Sequence, residues 1–288
     1  MLLFVQYQIL MIVFDILNDF KAFPTGKALR MKEENNMNDE KLFHISVPVN
    51  FGAEYAILPG DPGRVDKIAS LLDSPEFIAE NREFRSVAGM LEGKKVIVTS
   101  TGIGGPSATI ALEELYISGV RNMIRIGTCG GMQMDVIPGD LIIPTAAVRM
   151  EGTTREYAPV EFPAVADYDI ISALISAVRK NGTPYHTGVI QSKDSFYGQH
   201  SPDTMPVAIV LKEKWKMWKK LGVLASEMEA AALFTVAQVR KIKAGCVLHA
   251  LWNQERRDAG IIDPDSFDTM TAINTAVEAL KILISNNG

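Results

Sequence analysis

The sequence predicts an α/β protein with a mainly parallel sheet and helices on both faces of that sheet. Several short runs rich in valine and isoleucine show no polar alternation, which indicates strands buried on both faces. Amphipathic segments alternate with these runs from about residue 54 to the end of the chain, and this alternation is typical of βα units. The 288 residues suffice for one large domain, which we place at residues 41–288.

Seven strands and five helices can be assigned in order along this domain. The predicted strands cover residues 55–58, 95–99, 122–127, 140–144, 187–191, 223–226 and 244–251. The predicted helices cover residues 64–72, 107–118, 168–180, 227–240 and 271–285. The third helix ends at Asn181-Gly182, a good stop signal, and the last carries Ala276, Leu280 and Leu283 at helical spacing.

The net charge and the cysteine content limit the classes of binding partner and the cellular compartment that can be expected. A net charge of −5 gives no electrostatic reason to expect nucleic acid or an anionic membrane as a partner. The basic segment 212–220 contains Trp215 and Trp218, and in an acidic chain it indicates a solvated helix face with two aromatic anchors. Two cysteines, Cys129 and Cys246, cannot form a disulfide framework, so we expect a cytoplasmic protein.

The first forty residues differ from the rest of the chain. Residues 1–14 are mostly apolar, but they are too short for a membrane span and lack the basic start of a signal peptide. Residues 32–41 are charged and Asn-rich, which is typical of a linker. We therefore predict a poorly ordered extension over residues 1–40, with the ordered protein beginning near Met37.

Three arginines in glycine- or acid-flanked settings are candidates for an anion-binding site. For any one of them alone, an ordinary surface salt bridge is the better interpretation. Fixed guanidinium groups beside glycines that allow close backbone approach are what an anion site needs, so three in one chain favour binding. The three settings are Gly60-Asp61-Pro62-Gly63-Arg64, Asn81-Arg82-Glu83-Phe84 and Arg125-Ile126-Gly127-Thr128-Cys129-Gly130-Gly131.

A glycine-rich turn at residues 101–107 follows a predicted strand and opens a predicted helix, which is the context of a dinucleotide-binding fingerprint. The pattern fails, because its third glycine would fall at Ser107 and no acid follows about 20 residues later. We interpret the turn as a backbone element of a site with different chemistry. Cys129, in the other glycine-rich turn, has no histidine nearby in sequence and is interpreted as a small packing residue.

Two carboxylates separated by one residue, Glu227 and Glu229, follow a predicted strand, with Met228 between them. Ionised carboxylates can accept hydrogen bonds from vicinal sugar hydroxyls, and a methionine offers an adaptable apolar surface to a sugar ring. Acids at a helix N-terminus are also favoured by the helix dipole alone. From this tripeptide alone, the helix-terminus interpretation is the favoured one.

Eight segments from about Phe43 onward occur in the order found in one known family. They are Phe43-His44, Gly60-Asp61-Pro62-Gly63-Arg64-Val65, Arg82-Glu83-Phe84, Ser100-Thr101-Gly102-Ile103-Gly104-Gly105-Pro106-Ser107, Arg125-Ile126-Gly127-Thr128, Glu161-Phe162-Pro163-Ala164-Val165-Ala166-Asp167, Asp194-Ser195-Phe196-Tyr197-Gly198-Gln199 and Glu227-Met228-Glu229. Through them the chain resembles the hexameric-type nucleoside phosphorylase family, and its uridine phosphorylases most.

The resemblance implies a fold, an assembly and a co-substrate. The sheet would be mixed, mostly parallel, partly closed into a barrel and surrounded by helices. The chains would form a homodimer or homohexamer whose sites are shared between subunits. Inorganic phosphate would be the co-substrate, with no cofactor in the chemistry. A monovalent cation at the dimer interface, near Glu83, Ile103 and Ser107, is also implied.

The resemblance further implies roles for individual residues, in three groups. Phosphate would be bound by Gly60, Arg64, Arg125 and Thr128, with Arg82 supplied by a neighbouring subunit. The ribose would contact Glu227, Met228 and Glu229, with His44 of the neighbour reaching its 5′-hydroxyl, and the base would contact Phe196, Gln199 and Gln254. Arg125 and Glu229 would be the catalytic pair.

The base pocket departs from the usual uridine phosphorylase pattern. The segment Gln199-His200-Ser201 lacks the arginine that often follows the glutamine by two residues, and Gln254 stands where a second base-side arginine is expected. A purine enzyme usually carries an aspartate near Trp252-Asn253, and none stands there. We therefore expect phosphorolysis of uridine to uracil and ribose 1-phosphate, with a purine nucleoside phosphorylase as the alternative. A nucleosidase should lack the phosphate arginines.

Overall fold

The computed structural model describes residues 40–286, so the predicted extension over residues 1–40 lies outside the described residues except for Glu40. The described chain forms one mixed sheet of ten strands. The strands are β1 Tyr55–Pro59, β2 Asp73–Asn81, β3 Phe84–Leu91, β4 Lys94–Thr99, β5 Asn122–Gly131, β6 Leu141–Met150, β7 Ala164–Val165, β8 Tyr185–Lys193, β9 Ala225–Glu227 and β10 Lys243–Asn253.

Five of these strands close into a barrel. The ring runs from β5 to β10, β6, β8 and β9 and back to β5. Strands β1, β4, β3 and β2 extend the sheet outward from β5, and β7 pairs with β6. Every pair among β1, β4, β5 and β10 is parallel, whereas the outer β2–β3–β4 meander is antiparallel. A mixed sheet partly closed into a barrel confirms the expected fold class.

Eight helices surround the sheet in the described part of the chain. They are α1 Val65–Ala69, α2 Gly105–Ile117, α3 Tyr168–Lys180, α4 Phe196–His200, α5 Ala208–Lys220, α6 Ala230–Arg240, α7 Gln254–Asp258 and α8 Met270–Asn286. Single 3₁₀ turns cover Pro62–Arg64, Thr153–Glu156 and Pro202–Thr204. Across residues 40–286, none of the helices combines the length and the apolar character needed to cross a membrane.

The elements form where local signals and burial agree. All five residues of β1 are buried, as its apolar composition predicts. Helix α3 has the predicted bounds, because the Asp167 side chain caps it by accepting from the N–H groups of Asp169 and Ile170 and because Gly182 takes a φ of +65° just beyond its end. In α6 the first eight residues are all buried, so this alanine-rich helix fills the core.

Three of the observed strands, β2, β3 and β7, were not predicted, and two of the predicted helices have different bounds in the structure. The β2–β3 hairpin lacks a local sequence signal, because β2 is an edge strand with mostly exposed side chains and a proline. The predicted helix 227–240 begins at Ala230, since Glu227 belongs to β9. The predicted helix 64–72 is a 3₁₀ turn followed by the short α1.

Parallel pairing brings the proposed site residues together. The carboxyl ends of β1, β4, β5 and β10 meet at one edge of the sheet. The segments that follow β1 and β4 are Gly60–Arg64 and the glycine-rich turn 100–105. An open crevice at the carboxyl ends of parallel strands is the usual place for a ligand site in α/β proteins.

Candidate active site

A cavity of about 650 Å³ opens at this edge of the sheet. Its lining comes from the ends of β1, β5, β8, β9 and β10 and from the glycine-rich turn, so segments far apart in sequence converge there. The lining residues that carry polar, charged or aromatic chemistry are Gly60, Asp61, Arg64, Glu83, Arg125, Thr128, Lys193, Phe196, His200, Ser226, Glu227, Met228, Glu229 and Trp252. This set contains most of the residues singled out from sequence.

Two of the three arginines lie side by side in the cavity. Arg125 is buried on β5, and its Nε has no hydrogen-bond partner among the described residues. Burial lowers the pKa of Arg64, the Asp61 carboxylate opposes this, and the nearby Arg125 guanidinium lowers the pKa further. Arg125 Nε lies 3.8 Å from Glu227 Oε2, which is too far for a hydrogen bond. A buried donor without a hydrogen bond beside a second guanidinium is an arrangement that an anion satisfies.

Glycines leave room for the Arg125 guanidinium. A Cβ on Gly127 would lie 2.7 Å from Leu248 Cδ2 and 3.1 Å from Arg125 Nη2. A Cβ on Gly60 would lie 3.3 Å from the carbonyl oxygen of Gly102 and 3.7 Å from Arg125 Nη1. Any larger residue at Gly127 would therefore displace the guanidinium or the barrel strand that carries Leu248.

The two carboxylates differ in what they bind. Glu227 caps the start of α6, because its side chain accepts from the N–H groups of Glu229 at 2.8 Å and Ala230 at 2.9 Å and from the Ser192 hydroxyl. Glu229 accepts from the Gly104 N–H at 2.6 Å and forms an ion pair with Arg125 Nη2. The structure therefore contains the helix-terminus arrangement and also places both acids on the cavity wall.

The charges of this cluster are strongly coupled. Burial and the Glu229 carboxylate raise the pKa of Glu227, while Arg125 and the Ser192 hydroxyl oppose the rise. Burial alone would lower the pKa of Arg125, but Glu229 and Glu227 together raise it. Arg125 therefore stays protonated and neutralises a pair of acids that would otherwise be costly to bury.

The glycine-rich turn connects this cluster to the neighbouring strands. Gly102 and Gly104 take φ values of +65° and +91°, which favour glycine. A Cβ on Gly102 would also lie 2.7 Å from Glu83 Cγ. Ser107 Oγ, at the start of α2, lies 2.7 Å from Glu83 Oε1 and 2.6 Å from the carbonyl oxygen of Thr101. The turn thus places a backbone N–H on Glu229 and groups the oxygens of Glu83 and Ser107.

Arg82 and His44 lie outside the cavity of their own chain. Arg82 is exposed at the turn between β2 and β3, with a φ of +55°. His44 and the 71% exposed Phe43 lie on the surface nearby, in T-shaped contact at 4.8 Å between ring centroids. The family resemblance implies that Arg82 and His44 act in the site of a neighbouring subunit. Their position on the surface leaves both side chains available for that role.

Three aromatic rings in the cavity wall contact one another. The rings of Phe196 and His200 lie 4.3 Å apart between centroids, and each contacts Trp252, at 6.5 Å and 5.6 Å. Burial lowers the pKa of His200, and the neighbouring Lys193 lowers it further. A neutral imidazole between two aromatic rings suits the flat face of a nucleobase.

Lys193 is a buried cation that the sequence analysis missed. It ends β8, lies in the wall of this cavity and donates from Nζ to Ser226 Oγ at 2.7 Å. Burial lowers the pKa of Lys193 to about 8, although Glu227 and Glu229 oppose the shift. The signal available in the sequence was a lysine at the end of an otherwise apolar strand, next to the Asp194-Ser195-Phe196 segment.

A hydrogen-bond chain fixes the orientation of Gln199. A lysine ammonium only donates, so the Ser226 hydroxyl accepts from Lys193 and donates its own proton to Gln199 Oε1 at 2.6 Å. The carbonyl of Gln199 is therefore engaged, and its amide N–H₂ remains for a ligand. Of the two halves of the Gln199 amide, this arrangement leaves the donor half for a ligand.

Gln199 and Gln254 line an adjoining cavity of about 470 Å³, which shares Lys193 and His200 with the first. Gln254 Nε2 donates to Asp258 at 2.8 Å. Neighbouring candidates have structural roles, because buried Asn253 caps α7 and donates to the carbonyl oxygens of Gln133 and Val136, and Arg256 forms a two-pronged ion pair with Asp263.

Cys129 lies in the cavity wall as a buried thiol. Burial raises the pKa of Cys129 well above that of a solvated thiol, and the Glu227 carboxylate raises it further. A thiol that stays protonated is a poor nucleophile, which agrees with the interpretation of Cys129 as a packing residue.

The fold and the cavity together define an α/β protein with a crevice at the carboxyl ends of its strands, whose wall combines two arginines, two carboxylates, a lysine and three aromatic rings. The sequence profile of the Phosphorylase superfamily matches residues 54–285, and the chain belongs to this family. This membership confirms the resemblance carried by the motifs.

Several characterised relatives match most of the chain. A uridine phosphorylase of Treponema pallidum is 48% identical over 245 residues, which are 85% of this chain and 95% of the relative. A uridine phosphorylase of Escherichia coli is 41% identical over 253 residues, 86% of this chain and 100% of the relative. A guanosine phosphorylase of Halorubrum lacusprofundi is 42% identical over 204 residues, 71% of this chain and 80% of the relative.

Proposed function

We propose that this enzyme catalyses the reversible phosphorolysis of uridine to uracil and ribose 1-phosphate. The observation that carries the proposal is the succession of neighbouring groups around a single cavity. Arg64 lies beside Arg125, and Arg125 pairs with Glu229. Lys193 lies near both acids and next to the His200 ring, which contacts Phe196 and Trp252. The uridine phosphorylases among the relatives support this choice of substrate.

Phosphate is the nucleophile in this proposal. Arg64 and Arg125 bind its oxygens, and the unpartnered Nε of Arg125 becomes satisfied. Gly60 and Thr128, also in the wall, bring backbone and hydroxyl groups to the same anion. Positioning phosphate below the ribose and neutralising its charge makes attack on C1′ an intramolecular event within the complex.

The ribose lies over Glu227, Met228 and Glu229. Glu229 exchanges part of its contact with Arg125 for the ribose hydroxyls, since a carboxylate has acceptor capacity for both. This exchange couples sugar binding to the anion site. When Glu229 turns to the ribose, the Nη2 donor of Arg125 becomes free to bind phosphate. Arg125 and Glu229 are the catalytic pair on this view.

The base packs against Phe196, and its carbonyl edge faces Lys193 and Gln199. As the glycosidic bond lengthens, the base gains negative charge. The Lys193 ammonium and the Gln199 amide N–H₂ donate to the oxygens on which that charge develops. Lys193 thus supplies the positive charge for which the sequence analysis expected an arginine.

We propose that the active enzyme is a homodimer or homohexamer with shared sites. The exposed Arg82 and His44 of one subunit then complete the phosphate and ribose contacts of its neighbour. The oxygens of Glu83, Ile103 and Ser107 suit a monovalent cation at that interface, because hard oxygen donors are what such an ion binds. The buried free thiols Cys129 and Cys246 fit a cytoplasmic location.

Guanosine is the second candidate substrate, favoured by the guanosine phosphorylase relative. The cavity beyond Lys193 and His200 has space for a bicyclic base. Against this candidate, Asn253 stands where the purine enzymes usually have an aspartate, and its side chain is committed to holding α7.

The test is release of free base from uridine, cytidine, inosine and guanosine, each with and without inorganic phosphate. We expect uracil release from uridine to require phosphate and to produce ribose 1-phosphate in equal amount. Full-rate release without phosphate would identify a nucleosidase. A higher kcat/KM for guanosine or inosine than for uridine would replace the pyrimidine assignment with the purine one.

A further inference from the structure

We infer that Glu114 is a positioning residue that sets the ring of His44 to accept a hydrogen bond from the ribose 5′-hydroxyl bound in the neighbouring subunit. The inference rests on the proposed function, in which His44 reaches that hydroxyl. It assigns a role to a carboxylate on α2 that lies outside the cavity.

All the hydrogen bonds of the Glu114 carboxylate go to one dipeptide, the half-exposed His44 and the buried Ile45. Glu114 lies 9% exposed on α2 and accepts from the backbone N–H of His44 at 3.0 Å and of Ile45 at 2.8 Å. Its Oε1 also lies 2.6 Å from His44 Nδ1. A nearly buried carboxylate is costly unless it is well satisfied, and here a short loop satisfies it in full.

Further hydrogen bonds restrain the loop that contains His44. Asn81 Nδ2, at the end of β2, donates to the carbonyl oxygen of His44 at 2.8 Å. The segment closes on itself through the bridge between Lys41 and Pro48, and Ser46 takes a φ of +55°. Glu114 and Asn81 therefore fix both sides of a peptide whose two rings, Phe43 and His44, lie on the surface.

The contact with Glu114 determines which ring nitrogen of His44 carries the proton. A carboxylate only accepts, so Nδ1 of His44 is the donor in the 2.6 Å contact. In the neutral imidazole the proton is then on Nδ1, and Nε2 carries a lone pair. Nε2 has no hydrogen-bond partner in the described part of the chain, and the side chain is 31% exposed. The ring thus offers an acceptor to a hydroxyl outside its own chain.

The orientation of the His44 ring is better explained by contact with a group outside its own chain than by stabilisation of the fold. A loop could be anchored to α2 by its backbone N–H groups alone, which already occupy both carboxylate oxygens. The added contact to Nδ1 restrains the ring, whose only other hydrogen-bonding or aromatic contact among the described residues is an edge contact with the exposed Phe43 ring. Orientation of a histidine by a carboxylate on its far nitrogen is the usual way to present the near nitrogen to a ligand.

The experiment compares uridine with 5′-deoxyuridine, which lacks only the hydroxyl in question. The variants are Glu114→Gln, His44→Ala and the double variant, assayed as the assembled enzyme. Glu113→Gln is the matched control, because Glu113 is the adjacent carboxylate on α2 and pairs with Arg240 instead. Folding and assembly are followed by circular dichroism and by molecular mass in solution.

We expect Glu114→Gln to lower kcat/KM for uridine about 5- to 10-fold, the scale of one hydrogen bond, and to leave kcat/KM for 5′-deoxyuridine within about 2-fold. His44→Ala should give the same split, and the double variant should be no worse than His44→Ala alone, because the two residues act as one unit. Glu113→Gln should leave the ratio of the two substrates unchanged.

If Glu114 had only a structural role, Glu114→Gln would lower kcat/KM equally for both substrates, and that result would overturn the inference. So would a double variant whose losses add, or a wild-type enzyme that does not distinguish the two substrates. If Glu114→Gln does not assemble, the ratio is measured on Glu114→Asp, which keeps the charge at a shorter reach. Absence of phosphate-dependent uracil release by wild type would instead overturn the proposed function itself.

Discussion

Replacing Lys193 with methionine should make the enzyme more stable and less active. The side chain is only 4% exposed, and burial lowers its pKa to about 8 from the 10.5 of a solvated lysine. At 1.36 kcal/mol for each pH unit that separates the two values, holding the ammonium in place costs about 3 kcal/mol near pH 7. Methionine has a similar length and carries no charge.

Part of this gain is offset by a lost contact. The variant leaves the Ser226 hydroxyl without its donor, at a cost of about 1 kcal/mol. The expected net gain is therefore about 2 kcal/mol, which raises Tm by about 4–8 °C for a chain of this size. Thermal unfolding at fixed protein concentration measures it. Lys243→Met is the control, because Asp169 raises the pKa of Lys243 and its removal should bring no gain.

The pH dependence of the gain has a defined sign. Lys193 releases its proton at lower pH in the folded chain than in the unfolded chain, so between about pH 8 and 10.5 the unfolded chain binds more protons and wild-type stability rises with pH. The methionine variant lacks this contribution. Its advantage should be complete below about pH 8 and absent above about pH 10.5.

Activity should move in the opposite direction to stability. Loss of a charged donor to the leaving base should reduce kcat/KM for uridine by about 10- to 100-fold. Wild type should also lose kcat/KM as the pH rises through about 8, and Lys193→Arg should remove that limb, since a guanidinium stays protonated. A variant that is less stable at pH 7, or that keeps full activity, would refute the reasoning.

Three further predictions concern the rest of the site. Gly127→Ala should lose stability by about 1–3 kcal/mol and lower kcat/KM at least 10-fold, because the methyl group displaces the adjoining guanidinium, whereas Gly152→Ala, with its nearest neighbour at 3.6 Å, should change neither. Mixing inactive Arg82→Ala with inactive Glu229→Ala should restore some activity through hybrid sites, and no recovery after demonstrated subunit exchange would contradict shared sites. Gln199→Leu should depress uridine turnover without changing Tm by more than about 2 °C, as measured by steady-state kinetics and thermal unfolding.

The parts of the fold that follow a local rule were predictable from sequence. Helix α3 between Asp167 and Gly182 has its expected bounds. Strand β5 begins at the expected residue, Asn122, but runs four residues beyond the predicted end, to Gly131. The β2–β3 hairpin was not predictable, because its pairing depends on β4 beyond it and not on its own composition. Barrel closure was expected only from the family resemblance, since no local pattern encodes it.

The site residues likewise fall into a group that the sequence predicts and a group that it does not. Arg64, Arg125 and Glu229 stand in recognisable motifs and meet in one cavity. Lys193 escaped notice, because its importance arises from burial against Ser226 and the two acids, which only the folded chain provides. The double use of Glu227, as a helix cap and as a cavity wall, was posed from sequence as a choice between two interpretations, and the structure contains both arrangements.

The three-residue strand β9 has a consequence for how ligand binding can be observed. It joins β5 and β8 and so completes the barrel with only two residue pairs on each side. The same short strand carries Ser226 and Glu227, which line the cavity. One short segment therefore closes the barrel and also forms part of the wall of the site. Amide hydrogen exchange along this segment should slow when substrate is bound, so that a spectroscopic probe of the scaffold also reports occupancy of the site.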